Sequence, residues 1–114
     1  MYHEMKLNQD PFYRIKSGKK KIEIRLFDEK RQKLKVGDKI TFFKLPELNE
    51  KTSAEIIELK RYKTFKDLVE DFPMSYFGYS DEYNKDNFVN SIYMIYTKGQ
   101  EERQGVLGIK IKLI

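Results

Sequence analysis

Between Lys21 and Leu26 apolar and polar residues alternate without a break: Ile22, Ile24 and Leu26 on one side, Lys21, Glu23 and Arg25 on the other. A period of two predicts a strand, because successive side chains of an extended chain point to opposite faces. Tyr2 to Leu7 reads as a short strand. Val36-Gly37-Asp38 is a turn that leads into a strand over Lys39 to Leu45. Ser53 to Tyr62 forms the next, with Ile56, Ile57 and Leu59 at its centre. Gly105 and Gly108 flank the entry to a last strand, in which Leu107, Ile109, Ile111 and Leu113 face one way and Lys110 and Lys112 the other.

Three segments carry helical spacing instead. Asp10 followed by Pro11 predicts an N-cap and a first helical position, Phe12, Ile15 and Lys16 continue the helix, and Gly18 ends it. Thr64 caps a second helix running to about Phe72, with Phe65, Leu68, Val69 and Phe72 on one stripe, and Pro73 stops it. Ser80 or Asp81 opens a third, with Phe88, Val89, Ile92, Tyr93 and Tyr96 at helical intervals. Phe27 to Leu34 is polar and predicts a loop or a turn of helix. The order is strand, helix, three strands, two helices, strand. Strands that run together rather than alternating with helices indicate the α+β class with an antiparallel or mixed sheet. A small curled sheet with helices at its ends is the simplest closure. No repeat, low-complexity tract or linker divides residues 1–114, so a single domain is expected.

Composition narrows the chemistry. The chain has 39% hydrophobic and 14% aromatic residues, and its 8 Tyr and 8 Phe supply large contact areas for a core. It has no cysteine and one histidine, His3. Disulfides, thiolate sites and cysteine nucleophiles are therefore excluded, and no metal or cofactor is expected. His3 reads as a strand residue. Met1 to Asn8 lacks the apolar run of a signal peptide, and no window approaches the roughly 18 apolar residues of a membrane span. A cytoplasmic location and no membrane partner are expected. Net charge is +5, distributed unevenly: residues 1–66 hold 18 Lys/Arg against 10 Asp/Glu, and residues 67–114 hold 5 against 8. A basic half suits an anionic partner. A lysine-rich solvated surface gives the same count.

The unusual patch is Gly18-Lys19-Lys20-Lys21-Ile22-Glu23-Ile24-Arg25. Three adjacent lysines repel one another unless an anion or a carboxylate is near. Glu23 and Arg25, two apart, share a strand face and can pair. Arginine there grips phosphate or a base edge through its planar fork, and the carboxylate accepts from a base amine or carries a proton. The alternative is a solvated face with routine cross-strand ion pairs. Tyr76, Phe77, Tyr79 and Tyr83 cluster around Gly78; most such rings are core, and one facing outward would stack on a base. Asp28-Glu29-Lys30-Arg31 is a mixed-sign turn from which Arg31 reaches an anion held near Arg25. Phosphate-cradling glycine loops, nucleophile elbows and zinc-protease helices are absent.

The ordered series His3-Glu4-Met5-Lys6-Leu7, Pro11-Phe12, Gly18-x-Lys20-x-Ile22-Glu23-x-Arg25-Leu26, Asp28-x-Lys30-Arg31 and Val36-Gly37-Asp38-x-Ile40-x-Phe42 resembles the ASCH domain of bacterial stand-alone proteins. Gly105-Val106-Leu107-Gly108-Ile109 matches the way such chains end, so the likeness spans the whole chain. The resemblance implies a PUA-like β-barrel of about five to six mixed or antiparallel strands with flanking helices and a cleft beside the barrel. It also implies binding of RNA or of a nucleoside or nucleotide. Lys20, Glu23 and Arg25 would line the cleft, with Lys19, Lys21, Arg31 and Tyr79 around it. One branch of the family removes the acetyl group from N4-acetylcytidine, and another member is linked to ribonuclease activity. For an amidohydrolase, Lys20, Glu23 and Glu70 are the catalytic candidates. Glu23 stands where that branch has a threonine. A protein-interaction module, as in eukaryotic ASCH domains, is the third reading.

Overall fold

The computed structural model describes residues 1–114. Its strands are β1 (Tyr2–Leu7), β2 (Ile22–Leu26), β3 (Lys39–Lys44), β4 (Lys51–Tyr62) and β5 (Val106–Leu113). They form one sheet in the order β1-β3-β4-β5-β2. β1 runs parallel to β3, with Met5 opposite Phe42, and every other pairing is antiparallel. The mixed sheet curls into a half-barrel, the PUA-like α+β architecture. β4 makes the curl, pairing with β3 at one end and β5 at the other across an irregularity between Ile56 and Glu58. A bulge bends its strand and sharpens the twist. It also turns Ile57 out to solvent, away from the central place its hydrophobicity predicts.

Two cores result. Met5, Phe12, Ile15, Phe42, Ile56 and Ile109 fill the concave side of the sheet, and helix α1 (Gln9–Lys16) plugs it. On the other side Ile22, Ile24, Leu26 and Val106 pack against α2 (Phe65–Glu70) and α3 (Lys85–Ile92) through Phe65, Leu68, Phe88 and Val89. Gly108 lets this second layer approach: a Cβ there would stand 3.2 Å from Cδ1 of Leu68. The apolar side of β2 therefore meets the helices, and Glu23 and Arg25 face the opposite way, into the curl.

Helix boundaries differ from the sequence reading for identifiable reasons. α1 starts at Gln9 with Asn8 as its N-cap, so each position falls two residues earlier than the Asp10-Pro11 signal places it. Pro11 is tolerated inside the first turn because N–H groups there have no intrahelical acceptor. Asp10 pairs instead with Arg14 at 2.9 Å, one turn on. α3 starts at Lys85, capped by the Asn84 side chain, which accepts from the Asn87 N–H at 3.0 Å. Asp81 is spent on another turn, accepting from the Ser75 N–H at 2.9 Å. α2 begins after Thr64 as expected and ends at Glu70. A fourth helix, α4 (Lys98–Gln104), has no counterpart in the pattern. Its only buried residue is Glu101, so it has no apolar stripe. Its signal is the capping box of Thr97 and Gln100.

Candidate functional site

β1 and β2 are the free edges of the sheet, and the barrel is open between them. Arg25 crosses the gap: its Nη2 donates to the carbonyl of Lys6 at 3.1 Å. Beside this seam lies a cavity of about 390 Å³ between β2, α1 and α3, lined by Arg14, Lys20, Glu23, Arg25, Tyr79 and Tyr96 among others. Gly18, at φ 81°, turns the chain out of α1. The Lys20 N–H then donates to the Arg14 carbonyl at 2.8 Å, and the Lys21 N–H to the Tyr76 carbonyl at 2.7 Å. This splits the lysine run. Lys20 turns inward with its side chain 10% exposed, and Lys19 and Lys21 point out.

Glu23 lies at the cavity floor, 3% exposed. Its Oε1 accepts from Lys20 Nζ at 2.8 Å and from the Ile24 N–H at 3.2 Å. Its Oε2 accepts from Arg25 Nε at 3.0 Å, with Nη2 at 2.9 Å. Burial alone would raise this carboxyl. The charges of Lys20 and Arg25, with their hydrogen bonds, outweigh burial and hold it down at about 2. Burial works against the Arg25 charge as well, and Glu23 beside it more than compensates, so Arg25 titrates above the ordinary arginine value. A carboxylate has about four acceptor positions, and three of those of Glu23 take hydrogen bonds from the protein. Its part is to hold the two cations in place. Nη1 of Arg25 and the remaining donors of Lys20 have no protein acceptor.

The chain buries two other carboxylates, and both serve the fold. Asp38 accepts from the Lys35 N–H at 3.1 Å and lies 2.8 Å from His3 Nε2, fixing the turn before β3 to β1. Glu101 accepts from the Phe65 N–H at 2.7 Å and from the Tyr93 hydroxyl at 2.8 Å, tying α4 to α2. Burial, and then Glu101, push the Tyr93 hydroxyl up to about 12. Glu23 alone fastens charged side chains around a hollow.

The aromatic wall is built from the loop after Pro73. Arg14 lies over the Tyr79 ring, 3.9 Å from its centroid, and donates to the Gly78 carbonyl. Tyr79 also packs against Tyr83 and Phe88, with centroids 4.8 and 5.2 Å away. One face of Tyr79 is thus covered by a guanidinium. Burial raises both Tyr79 and Tyr96 above the usual phenol range.

The structure brings Lys20, Glu23, Arg25 and Tyr79 together in this cavity. Lys19 and Lys21 lie next door, in an open hollow of about 500 Å³ with Ser75, Tyr76 and Ser80, which Tyr79 also lines. Arg31 lines a third cavity of about 490 Å³ with Lys30, Lys6 and Arg25. Glu70 does not join them. It stands at the end of α2 with its side chain 57% exposed, 3.9 Å from Lys66, and lines none of the three. Arg14, Tyr96 and Lys6 were missed by sequence reasoning. Only the place of Arg14 one turn after Asp10 on α1 hinted at its orientation. No group of three or more His, Asp or Glu is arranged to hold a metal ion, and no helix is long and apolar enough to cross a membrane.

The family model of the ASCH domain matches residues 5–114. The chain belongs to the ASCH domain family. Among solved structures, the ASCH chain is similar to that of "hypothetical protein PH0355", at 31% identity and a TM-score of 0.85, with 100% of both chains covered. It is also similar to the solution structure of protein PF0455 from Pyrococcus furiosus, at 28% identity and a TM-score of 0.73, covering 100% of this chain and 98% of the other. No curated protein matches it.

Proposed function

We propose that this ASCH domain binds RNA, or a nucleotide or modified base, in the cavity at the barrel seam. The observation that carries this reading is the buried Lys20–Glu23–Arg25 triad facing a hollow with aromatic walls. Its volume of about 390 Å³ falls in the range of small-ligand sites, and a few fixed polar groups among apolar ones are what orients such a ligand. Lys20 and the free edge of Arg25 hold carbonyl or phosphate oxygens. A base stacks on the guanidinium plane of Arg14, itself backed by Tyr79.

Two observations favour binding over amide hydrolysis. A carboxyl held at about 2 is a weak general base near neutral pH, and Glu70 is outside the cavity. Fluorescence anisotropy with a short labelled single-stranded RNA tests the proposal. Binding is expected to weaken steadily as salt rises and to drop at least ten-fold in Arg25→Ala. Salt-independent binding, or full affinity in Arg25→Ala, would refute it.

A further inference from the structure

We propose that the two hollows flanking the central cavity are phosphate subsites, so that the site takes one nucleotide from inside a strand, with a phosphate on each side. This rests on the base-binding reading of the central cavity. The three hollows are neighbours with common walls: the first shares Tyr79 with the centre, and the centre shares Lys6 and Arg25 with the third.

The charge around them is one-sided. The first hollow carries Lys19 and Lys21 with the hydroxyl residues Ser75 and Ser80, and no acid lines it. The third carries Lys6, Arg25, Lys30 and Arg31 against the single acid Glu4. None of Lys6, Lys19, Lys21 and Lys30 forms an ion pair. Arg31 is paired with Asp28 through Nη1 at 3.0 Å, while its Nε is the one buried side-chain donor in the chain with no acceptor. It is a cation held in place by its carboxylate with one buried donor left over. Like charges gathered without counter-charges repel, and an anion between them removes that cost. The central cavity differs in its walls and its anchor: Phe77, Tyr79, Phe88 and Tyr96 line it, and the carboxylate of Glu23 holds Lys20 and Arg25 in place. A base belongs in the middle and phosphates belong at the ends.

The arrangement also explains why the lysine run alternates. Lys20 turns in to the base site, and its neighbours turn out toward the strand that leaves it.

Titration calorimetry with cytidine, adenosine, guanosine and uridine, their 5′-monophosphates, their 3′,5′-bisphosphates and a nine-residue single-stranded RNA tests the proposal. For the preferred base, affinity should rise with each phosphate, by about ten-fold per step, as expected for charge-assisted hydrogen bonds. The double variant Lys19→Ala/Lys21→Ala should abolish one step and Lys30→Ala should weaken the other, with nucleoside binding unchanged. Each should flatten the salt dependence of RNA binding by about 0.7 in log–log slope for every phosphate the variant no longer neutralises. Lys66→Ala, on α2 and outside all three hollows, is the charge control and should change nothing. Equal affinity for nucleoside and bisphosphate would overturn the subsites and leave the base site standing. So would an effect of Lys66→Ala as large as that of Lys30→Ala. Failure of every probe to bind would overturn both.

Discussion

Replacing Glu23 by glutamine should destabilise the protein by about 3 kcal/mol at pH 7. Two routes give that figure. The carboxyl is lowered from an ordinary 4.5 to about 2, and at 1.36 kcal/mol per pH unit this corresponds to about 3 kcal/mol of preference for the charged form in the folded state. Independently, removing one member of a buried ion pair costs about 3–5 kcal/mol, because its partners stay buried and uncompensated. Here two partners are stranded, Lys20 and Arg25, with side chains only 10% and 12% exposed. The lower end of that range applies, since both border a cavity that water enters. The sign of the pH dependence follows from linkage. The unfolded chain binds a proton at Glu23 near pH 4.5 and the folded chain only near pH 2, so the stabilisation is complete above about 4.5 and lost as pH falls through about 2. Urea unfolding of wild type and Glu23→Gln at pH 7 and pH 3 checks this. The difference between them should shrink to less than half at pH 3. A loss below about 1 kcal/mol at pH 7, or a gap of equal size at both pH values, would show that the triad is not held by the buried charge.

Three further outcomes are expected. Gly108→Ala brings a methyl to 3.2 Å from Leu68 in the tightly packed second core, and thermal unfolding should record a loss of about 1–3 kcal/mol. Thr97→Ala removes the hydroxyl that accepts from the Gln100 N–H at 3.1 Å, and should cost about 1 kcal/mol in the same assay. Glu70→Ala removes an exposed, loosely paired carboxylate. Stability should stay within about 0.5 kcal/mol, and RNA affinity and any turnover of N4-acetylcytidine should match wild type; a loss of turnover would mark Glu70 as a catalytic residue.

The strands were legible because their signals are local. β1 matches Tyr2 to Leu7 at both ends, and the alternation through Leu26 marks β2. The helices were legible where they bury an apolar stripe, as α2 does, and invisible where a single carboxylate ties them down, as in α4. The site was half legible. The crowding of Lys19, Lys20, Lys21, Glu23 and Arg25 singles out the right edge of the sheet. The depth of Glu23 could not be read there, because alternation in one strand is the same whether its polar face meets water or a cavity. Arg14 and Tyr96 were hidden for a different reason. They reach the hollow from α1 and from the chain after α3, and which faces of two separate elements meet is settled only by packing.

That packing follows from the way the barrel fails to close. A fully closed sheet satisfies each strand edge with another strand, whereas this one leaves β1 and β2 facing each other across a gap. A bare gap would expose unpaired backbone groups and the concave core. A side chain that bridges it must reach several ångströms, donate hydrogen bonds and stay fixed, and a long arginine satisfies all three only if its charge is compensated. Glu23 supplies that charge two residues away on the same face, and its second oxygen then draws Lys20 inward. The basic hollow is therefore a consequence of closing the fold with a side chain instead of a strand. Arg25→Leu is the decisive case, because it separates the two roles of the bridge. It should loosen the seam, visible as faster amide exchange in β1 and β2 than in β4, and it should abolish ligand binding together with it. Loss of binding with unchanged exchange would mean that Arg25 serves the ligand alone and that something else holds the seam.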